Sequence, residues 1–266
     1  EGVYTKGSVT SLTALDPNKV ISTGGITGGL RNATVNRSSS SASVTIGWGY
    51  NMYGAGIAGF SSGSTIIDSY FDGQVRNVAD VGNSFVFSSG IGAYFIGSAG
   101  SRNTVRNTYS RGYMHPDNPG SFTDRSAIIS YANSTDIYSS YFDQETTGVS
   151  AGVGSYYNTD TVEAARKSIA EMKQQATYSG WDFNQTWNMH PSVNDGYPYL
   201  RPRILTEELQ PAVAGEPYSL KISGWDGAHA GLIWSATGLP PGMSLSPSGE
   251  LQGTPFQLLP GNIRYT

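Results

Sequence analysis

Gly56-Ile57-Ala58-Gly59-Phe60 and, a few residues on, Ile66-Ile67-Asp68-Ser69-Tyr70-Phe71-Asp72 form a pair of segments that the chain repeats. The first recurs as Gly25-Ile26-Thr27-Gly28-Gly29-Leu30, Gly90-Ile91-Gly92-Ala93-Tyr94-Phe95 and Ala127-Ile128-Ile129-Ser130-Tyr131. The second recurs as Thr34-Val35-Asn36-Arg37-Ser38, Val105-Arg106-Asn107-Thr108-Tyr109-Ser110-Arg111 and Ile137-Tyr138-Ser139-Ser140-Tyr141-Phe142-Asp143. The isoleucines at 26, 57, 91 and 128 are 31, 34 and 37 residues apart, a spacing typical of repeat architectures. Short β-branched runs punctuated by Gly and Asn at this period predict an all-β fold, a parallel β-solenoid (β-helix) whose strands stack coil on coil. The insertion Gly97-Ser98-Ala99-Gly100-Ser101-Arg102 and a linker containing Pro116 and Pro119 absorb the differences in length as surface loops.

Stacking places equivalent residues of successive coils about 4.8 Å apart, so each column can form a ladder. Aligned on the tyrosines, with Ser38 standing in the first repeat, one polar column reads Asn36, Asp68, Asn107, Ser139. Short polar side chains there suit a corner between strands. A second column reads Ser40, Asp72, Arg111, Asp143, which sets Arg111 between two carboxylates. As an exposed ladder it would contribute about 0–1 kcal/mol per pair and serve to set register.

The 266 residues include 34 glycines, 17 tyrosines and no cysteine, with 16 basic and 20 acidic side chains. Glycine is nearly twice its usual share of about 7%, and charge is well below the usual level of about 25%. A net charge of −4 and a pI near 5.3 offer no basic footprint for nucleic acid. Without cysteine there is neither a disulfide framework nor a thiolate metal site. No apolar run reaches the length of about 18 residues that a spanning helix needs. The composition is that of a secreted β-rich repeat protein, and the start at Glu1 reads as a processed or excised segment.

At these repeats the chain resembles the GLUG motif of bacterial surface proteins, a Gly-Leu-x-Gly element followed by an Asn-Ser-Tyr-like turn. The resemblance extends through Ser140-Tyr141-Phe142-Asp143-Gln144-Glu145-Thr146-Thr147-Gly148, Trp181-Asp182-Phe183, Trp187 and Asn194-Asp195-Gly196-Tyr197-Pro198-Tyr199-Leu200, covering roughly residues 20–202. It implies a β-helix-like array on secreted or surface-attached proteins, often adhesin-like, with no catalytic residues. On this reading residues 1–159 are solenoid and 160–201 its C-terminal cap. A helix is expected over residues 160–175, with Asp160 as N-cap, Glu163 three residues on, and Val162, Ala165, Ile169 and Met172 on one face. With Trp181, Phe183, Trp187, Tyr197 and Tyr199 it would close the final open coil.

Residues 202–209 read as a linker. Beyond it, Gly238-Leu239-Pro240-Pro241-Gly242-Met243-Ser244-Leu245 and Gly249-Glu250-Leu251-Gln252-Gly253-Thr254-Pro255 resemble an immunoglobulin-like, cadherin-like module of bacterial surface proteins, here partial and spanning 210–266. Strands are expected near Tyr218 and over Leu232-Ile233-Trp234-Ser235-Ala236. The resemblance implies closing strands for which only eleven residues remain after Pro255. Truncation explains this, or a strand from another chain completes the sheet, and the β-prone residues 3–12 are a candidate donor for such a filament or stalk.

Gly54-Ala55-Gly56-Ile57-Ala58-Gly59 matches a dinucleotide fingerprint and Gly59-Phe60-Ser61-Ser62-Gly63 a nucleophile elbow in letters only, since each needs a strand-to-helix turn. His115, His190 and His229 are scattered. Asp117, Asn118, Asp143 and Glu145 sit in turns that keep calcium as a lesser alternative, but no twelve-residue calcium loop appears and no metal or cofactor is assigned. A polysaccharide-degrading β-helix enzyme is the chemical rival, with Asp68, Asp72 and Asp143 as its carboxylates. The reading preferred over it is a non-catalytic extracellular array that contacts a glycan or other surface ligand. Self-association through the immunoglobulin-like edge is the further partner considered. Candidate binding residues are Tyr70, Tyr109 and Tyr141 of the turns and Tyr50, Tyr53 and Tyr113 of the loops, because tyrosine offers area and a hydroxyl at low entropic cost. Packing between coils is the competing role for the column tyrosines.

Overall fold

The computed structural model describes residues 2–11, 19–47, 50–78, 85–116, 122–206, 208–227 and 232–256. The chain divides into two units, Glu1–Leu200 and Arg201–Thr266. Asp117 and Asn118 lie outside the described residues.

In the first unit three parallel sheets run the length of a solenoid. Sheet 1 stacks Val20–Gly24, Asn51–Ala55, Phe85–Ser89 and Phe122–Ser126. Sheet 2 stacks Thr27–Arg31, Ala58–Ser62, Gly92–Ile96, Ile129–Asn133 and Val153–Tyr157. Sheet 3 stacks Thr34–Asn36 and Ser39–Ile46 on Thr65–Phe71, then Asn103–Ser110, Thr135–Asp143 and Val162–Lys167. Both letter matches to catalytic motifs fall on this strand framework, and Ser61 is a buried residue hydrogen-bonded to Asn103 Oδ1 at 2.9 Å.

The repeated isoleucines Ile57, Ile91 and Ile128 turn inward at the corner between sheets 1 and 2 and are fully buried. They meet Met52 and Val86 of sheet 1 and Ile66, Val105 and Ile137 of sheet 3 in one continuous core. The glycine before the isoleucine permits a tight corner: a Cβ on Gly56 would lie 2.1 Å from ring carbons of Phe71 and 2.4 Å from the Gly90 carbonyl oxygen.

Two columns of left-handed residues bend the chain elsewhere. Asn32, Gly63, Ser134 and Asn158 mark the corner before sheet 3, and Arg37, Asp68, Asn107 and Ser139 mark a bend within it, with φ between 44° and 61°. The residue after the bend is usually Ser or Thr. Its hydroxyl donates to the carbonyl two residues back, as in Ser38 to Asn36 (2.9 Å), Ser64 to Ser62 (3.0 Å), Ser69 to Ile67 (2.8 Å) and Thr135 to Asn133 (3.1 Å). The same oxygen accepts an N–H from the coil before, Ala33 to Ser64 and Ser38 to Ser69, both at 3.2 Å. Each bend interrupts the ladder, and these hydroxyls satisfy the backbone groups it frees.

The register corrects the first repeat by one residue. Asn36 pairs with Ile67 and Ser39 with Tyr70, so Arg37 heads the column of Asp68, Asn107 and Ser139. Likewise Ser41, not Ser40, faces Asp72 and donates to it at 2.5 Å. The tyrosine anchor was missing there, and Ser38 and Ser39 are indistinguishable by type.

Four further expectations are corrected. Residues 162–167 form a fifth-coil strand on Thr135–Asp143, and the helix is confined to Ile169–Met172, capped by Ser168 with Glu171 in a capping box. An unpaired parallel edge is available to residues 162–167, and pairing overrides their helical periodicity. Tyr4–Thr10 lies parallel to Ser39–Thr45 in seven-residue register, so its backbone is already engaged within its own solenoid and it is not a free donor strand. In the second unit Arg203–Ile204, read as linker, pairs antiparallel with Gly224–Trp225, while Tyr218–Lys221, Glu250–Gly253 and Met243–Leu245 form a separate antiparallel sheet. Leu232-Ile233-Trp234-Ser235-Ala236 is not a strand.

Candidate functional site

The column tyrosines leave sheet 3 on its outer side, where the segment after Lys167 covers them. Tyr70 and Tyr109 stack at 4.9 Å with 3° between planes, and both pack on Trp187 at 6.2 Å. Tyr141 meets Tyr178 and Trp181. Trp187 is fully buried and donates Nε1–H to Asp68 Oδ1 at 3.2 Å; Trp181 donates to the Ser139 carbonyl at 2.9 Å. Tyr109 donates its hydroxyl to the Pro198 carbonyl at 2.8 Å, and Arg37 reaches Thr186 Oγ1 at 2.7 Å. The aromatic segment is therefore a lateral strap across the coils, correcting the expectation of a plug on the last one.

Tyr70, Tyr109 and Tyr141 are 1%, 0% and 9% exposed, so they pack rather than present themselves to a ligand. Burial pushes the Tyr70 and Tyr109 hydroxyls well above the ordinary phenol value. The three carboxylates considered for catalysis are engaged as well. Asp68 accepts from Asn107 and Trp187; Asp72 accepts from Ser41 and pairs with Arg111 at 3.2 Å; Asp143 accepts from Tyr197 and from the Glu145 and Thr146 N–H groups. Arg111 pairs with Asp72 and with Asp195 of the strap at 2.8 Å, in place of the Asp72 and Asp143 pair expected, and lies 4.6 Å from the Tyr197 ring centroid.

This latch predicts acid sensitivity. The Arg111 hydrogen bond holds the Asp195 carboxyl below its usual value, and the Gln185 N–H does the same for Asp182. Carboxylates depressed in the folded state contribute stability that is fully present above their unfolded value of about 3.9 and lost as pH falls through the folded one. Acid titration followed by tryptophan fluorescence is expected to show the strap loosening below roughly pH 4, and Asp195→Asn to reduce that pH dependence. An unchanged acid profile in the variant would show that the Arg111 contact contributes nothing.

A second aromatic ladder stays partly exposed. In sheet 1, Ser22, Tyr53, Phe87 and Asp124 share a column; in sheet 2, Gly29, Phe60, Tyr94, Tyr131 and Ser155 share another. The columns meet in the groove between the sheets. Tyr53 stacks on Tyr94 at 4.4 Å and 7°, Tyr94 on Tyr131 at 4.6 Å and 15°, and Phe87 tilts against all three at 5.2–5.8 Å. At its first-coil end lies a cavity of about 530 Å³ bounded by Ser22, Gly28, Gly29, Tyr53, Phe60 and Tyr94. Burial, and then Tyr94, raise the Tyr53 hydroxyl to about 12, so it stays protonated and able to donate. At the other end Asp124 accepts from Ser155 at 3.3 Å, and burial raises its carboxyl.

Of the predicted binding residues only Tyr53 borders this cavity, and at 6% exposed its ring is packed in the ladder, leaving Phe60 and Tyr94 as the more accessible rings. Tyr50 and Tyr113, 47% and 41% exposed, are not among its walls. Phe60, Phe87, Tyr94 and Tyr131 were missed, although the repeat contains their signal. Three residues after each isoleucine stand Gly29, Phe60, Tyr94 and Tyr131, and four before it Ser22, Tyr53, Phe87 and Asp124. Among the described residues no group of three or more His, Asp or Glu could hold a metal ion, and no helix is long and apolar enough to cross a membrane.

Fold and groove together define a parallel β-solenoid with an aromatic-lined outer groove. No family model, curated protein or solved structure matches the chain.

Proposed function

We propose that this protein is a non-catalytic extracellular contact module, an adhesin-like repeat array of a bacterial surface that binds glycans in the groove between sheets 1 and 2. The partly exposed aromatic ladder carries this reading. Its rings offer apolar area beside tyrosine hydroxyls, the combination that sugar rings with one apolar face and a hydroxyl rim require. The GLUG-like repeats, the immunoglobulin-like sequence elements of the second unit and the low-charge, Gly- and Tyr-rich composition support the surface assignment.

The test is a glycan-array screen followed by calorimetry on the full chain. Phe60 and Tyr94 are only partly buried, so Phe60→Ala and Tyr94→Ala are expected to keep the fold and weaken binding at least about tenfold, the loss typical of a central aromatic contact. Tyr113→Ala is expected to bind as the parent does. Glycan binding untouched by both groove substitutions would place the site elsewhere.

A further inference from the structure

The cavity at the first-coil end is a missing rung. Stacked coils repeat at about 4.8 Å, and the rings of Tyr53, Tyr94 and Tyr131 follow one another at 4.4 and 4.6 Å. In the first coil both ring-bearing columns shrink to Ser22 and Gly29. A Cβ built on Gly29 meets nothing nearer than Phe60 Cδ1 at 4.0 Å, so the space is open. A ring-sized occupant can therefore lie beside Gly29 and the partly buried Phe60, where the described residues supply none.

The chemistry at the rim narrows that occupant. Arg31, exposed at the end of the first strand of sheet 2, holds its guanidinium 5.1 Å from the Phe60 ring centroid. No carboxylate lies within ion-pair distance of it among the described residues, whereas Arg102 and Arg111 are each held by two. The stacking fixes the planar fork beside the cavity, and its donors match a carboxylate bidentately. The hydroxyls of Tyr53 and Tyr94 also have no hydrogen-bond partner among the described residues, leaving donors and acceptors for sugar hydroxyls.

We infer that this cavity binds a carboxylated sugar ring, a hexuronate within a glycan, seated in the open space beside Gly29 and Phe60 with its carboxylate on Arg31. The inference rests on the glycan-binding reading and specifies its ligand class.

The test is calorimetric titration of the full chain with an oligogalacturonate and with the same oligosaccharide after carboxyl reduction. The acidic form is expected to bind at least tenfold more tightly, and added salt to erase much of the difference. Arg31→Ala, at an exposed position that leaves the fold intact, is expected to bring the acidic ligand down to the level of the reduced one. Arg31→Lys should recover only part, because the bidentate geometry is lost. Equal binding of the two ligands, unchanged by Arg31→Ala, would overturn the acidic-sugar inference and leave the glycan groove standing. Binding of neither these probes nor any glycan on the array would overturn both.

Discussion

Trp187→Ala is expected to lower the unfolding free energy of the solenoid unit by about 3–5 kcal/mol, the range for truncating a fully buried large aromatic. The indole packs on Tyr70, Tyr109 and Trp181 and donates to Asp68, so its loss leaves a cavity under the strap and strands a carboxylate bond. The consequence is more than local. In a solenoid each coil contacts only its neighbours, so cooperativity depends on nearest-neighbour interfaces. The strap adds a second connection, touching Arg37 in the first coil and Ser139 in the fourth. Urea unfolding followed by both circular dichroism and fluorescence should therefore show a lower midpoint and transitions that no longer coincide. Tyr156→Ala, at a ring 56% exposed on the fifth coil, is the control expected to change stability by no more than about 0.5 kcal/mol. Matching midpoints for Trp187→Ala and the control would mean that the strap only lies on the solenoid without holding it.

Phe71→Ala is expected to cost about 3–5 kcal/mol as well, for a different reason. Its ring is fully buried in the solenoid interior, and ring carbons would lie 2.1 Å from a Cβ on Gly56 and 2.3 Å from one on Gly112. Its column neighbours are Ser40 and Ser110, too small to fill the space, and parallel ladders on both sides keep the backbone from collapsing into it. Phe71→Leu keeps most of the volume and should lose clearly less. Denaturant midpoints for the two variants give the check. Equal losses would show that the corner tolerates a void and that the paired glycines are not shaped around this ring.

The periodic isoleucines announced parallel stacking because a repeated corner needs the same small residue and the same inward apolar group each time. The tyrosine column was equally visible, but its role was not: whether Tyr109 faces water or Trp187 depends on a segment some eighty residues later. Residues 162–167 carry a helical pattern, and only the free edge of Thr135–Asp143 made them a strand. The groove ladder had its signal three residues after and four before each isoleucine, yet it becomes a site only when two columns from different sheets face one another.

What the amino-acid sequence determined by itself is everything that repeats: the period, the corner glycines, the inward isoleucines and the hydroxyl-bearing residues after each bend. These follow from local chemistry applied once per coil. What only the tertiary structure decided is which outward columns stay exposed. Exposure depends on what a distant part of the chain covers, and the strap buries one aromatic ladder while leaving the other, with its missing rung beside Arg31, partly exposed.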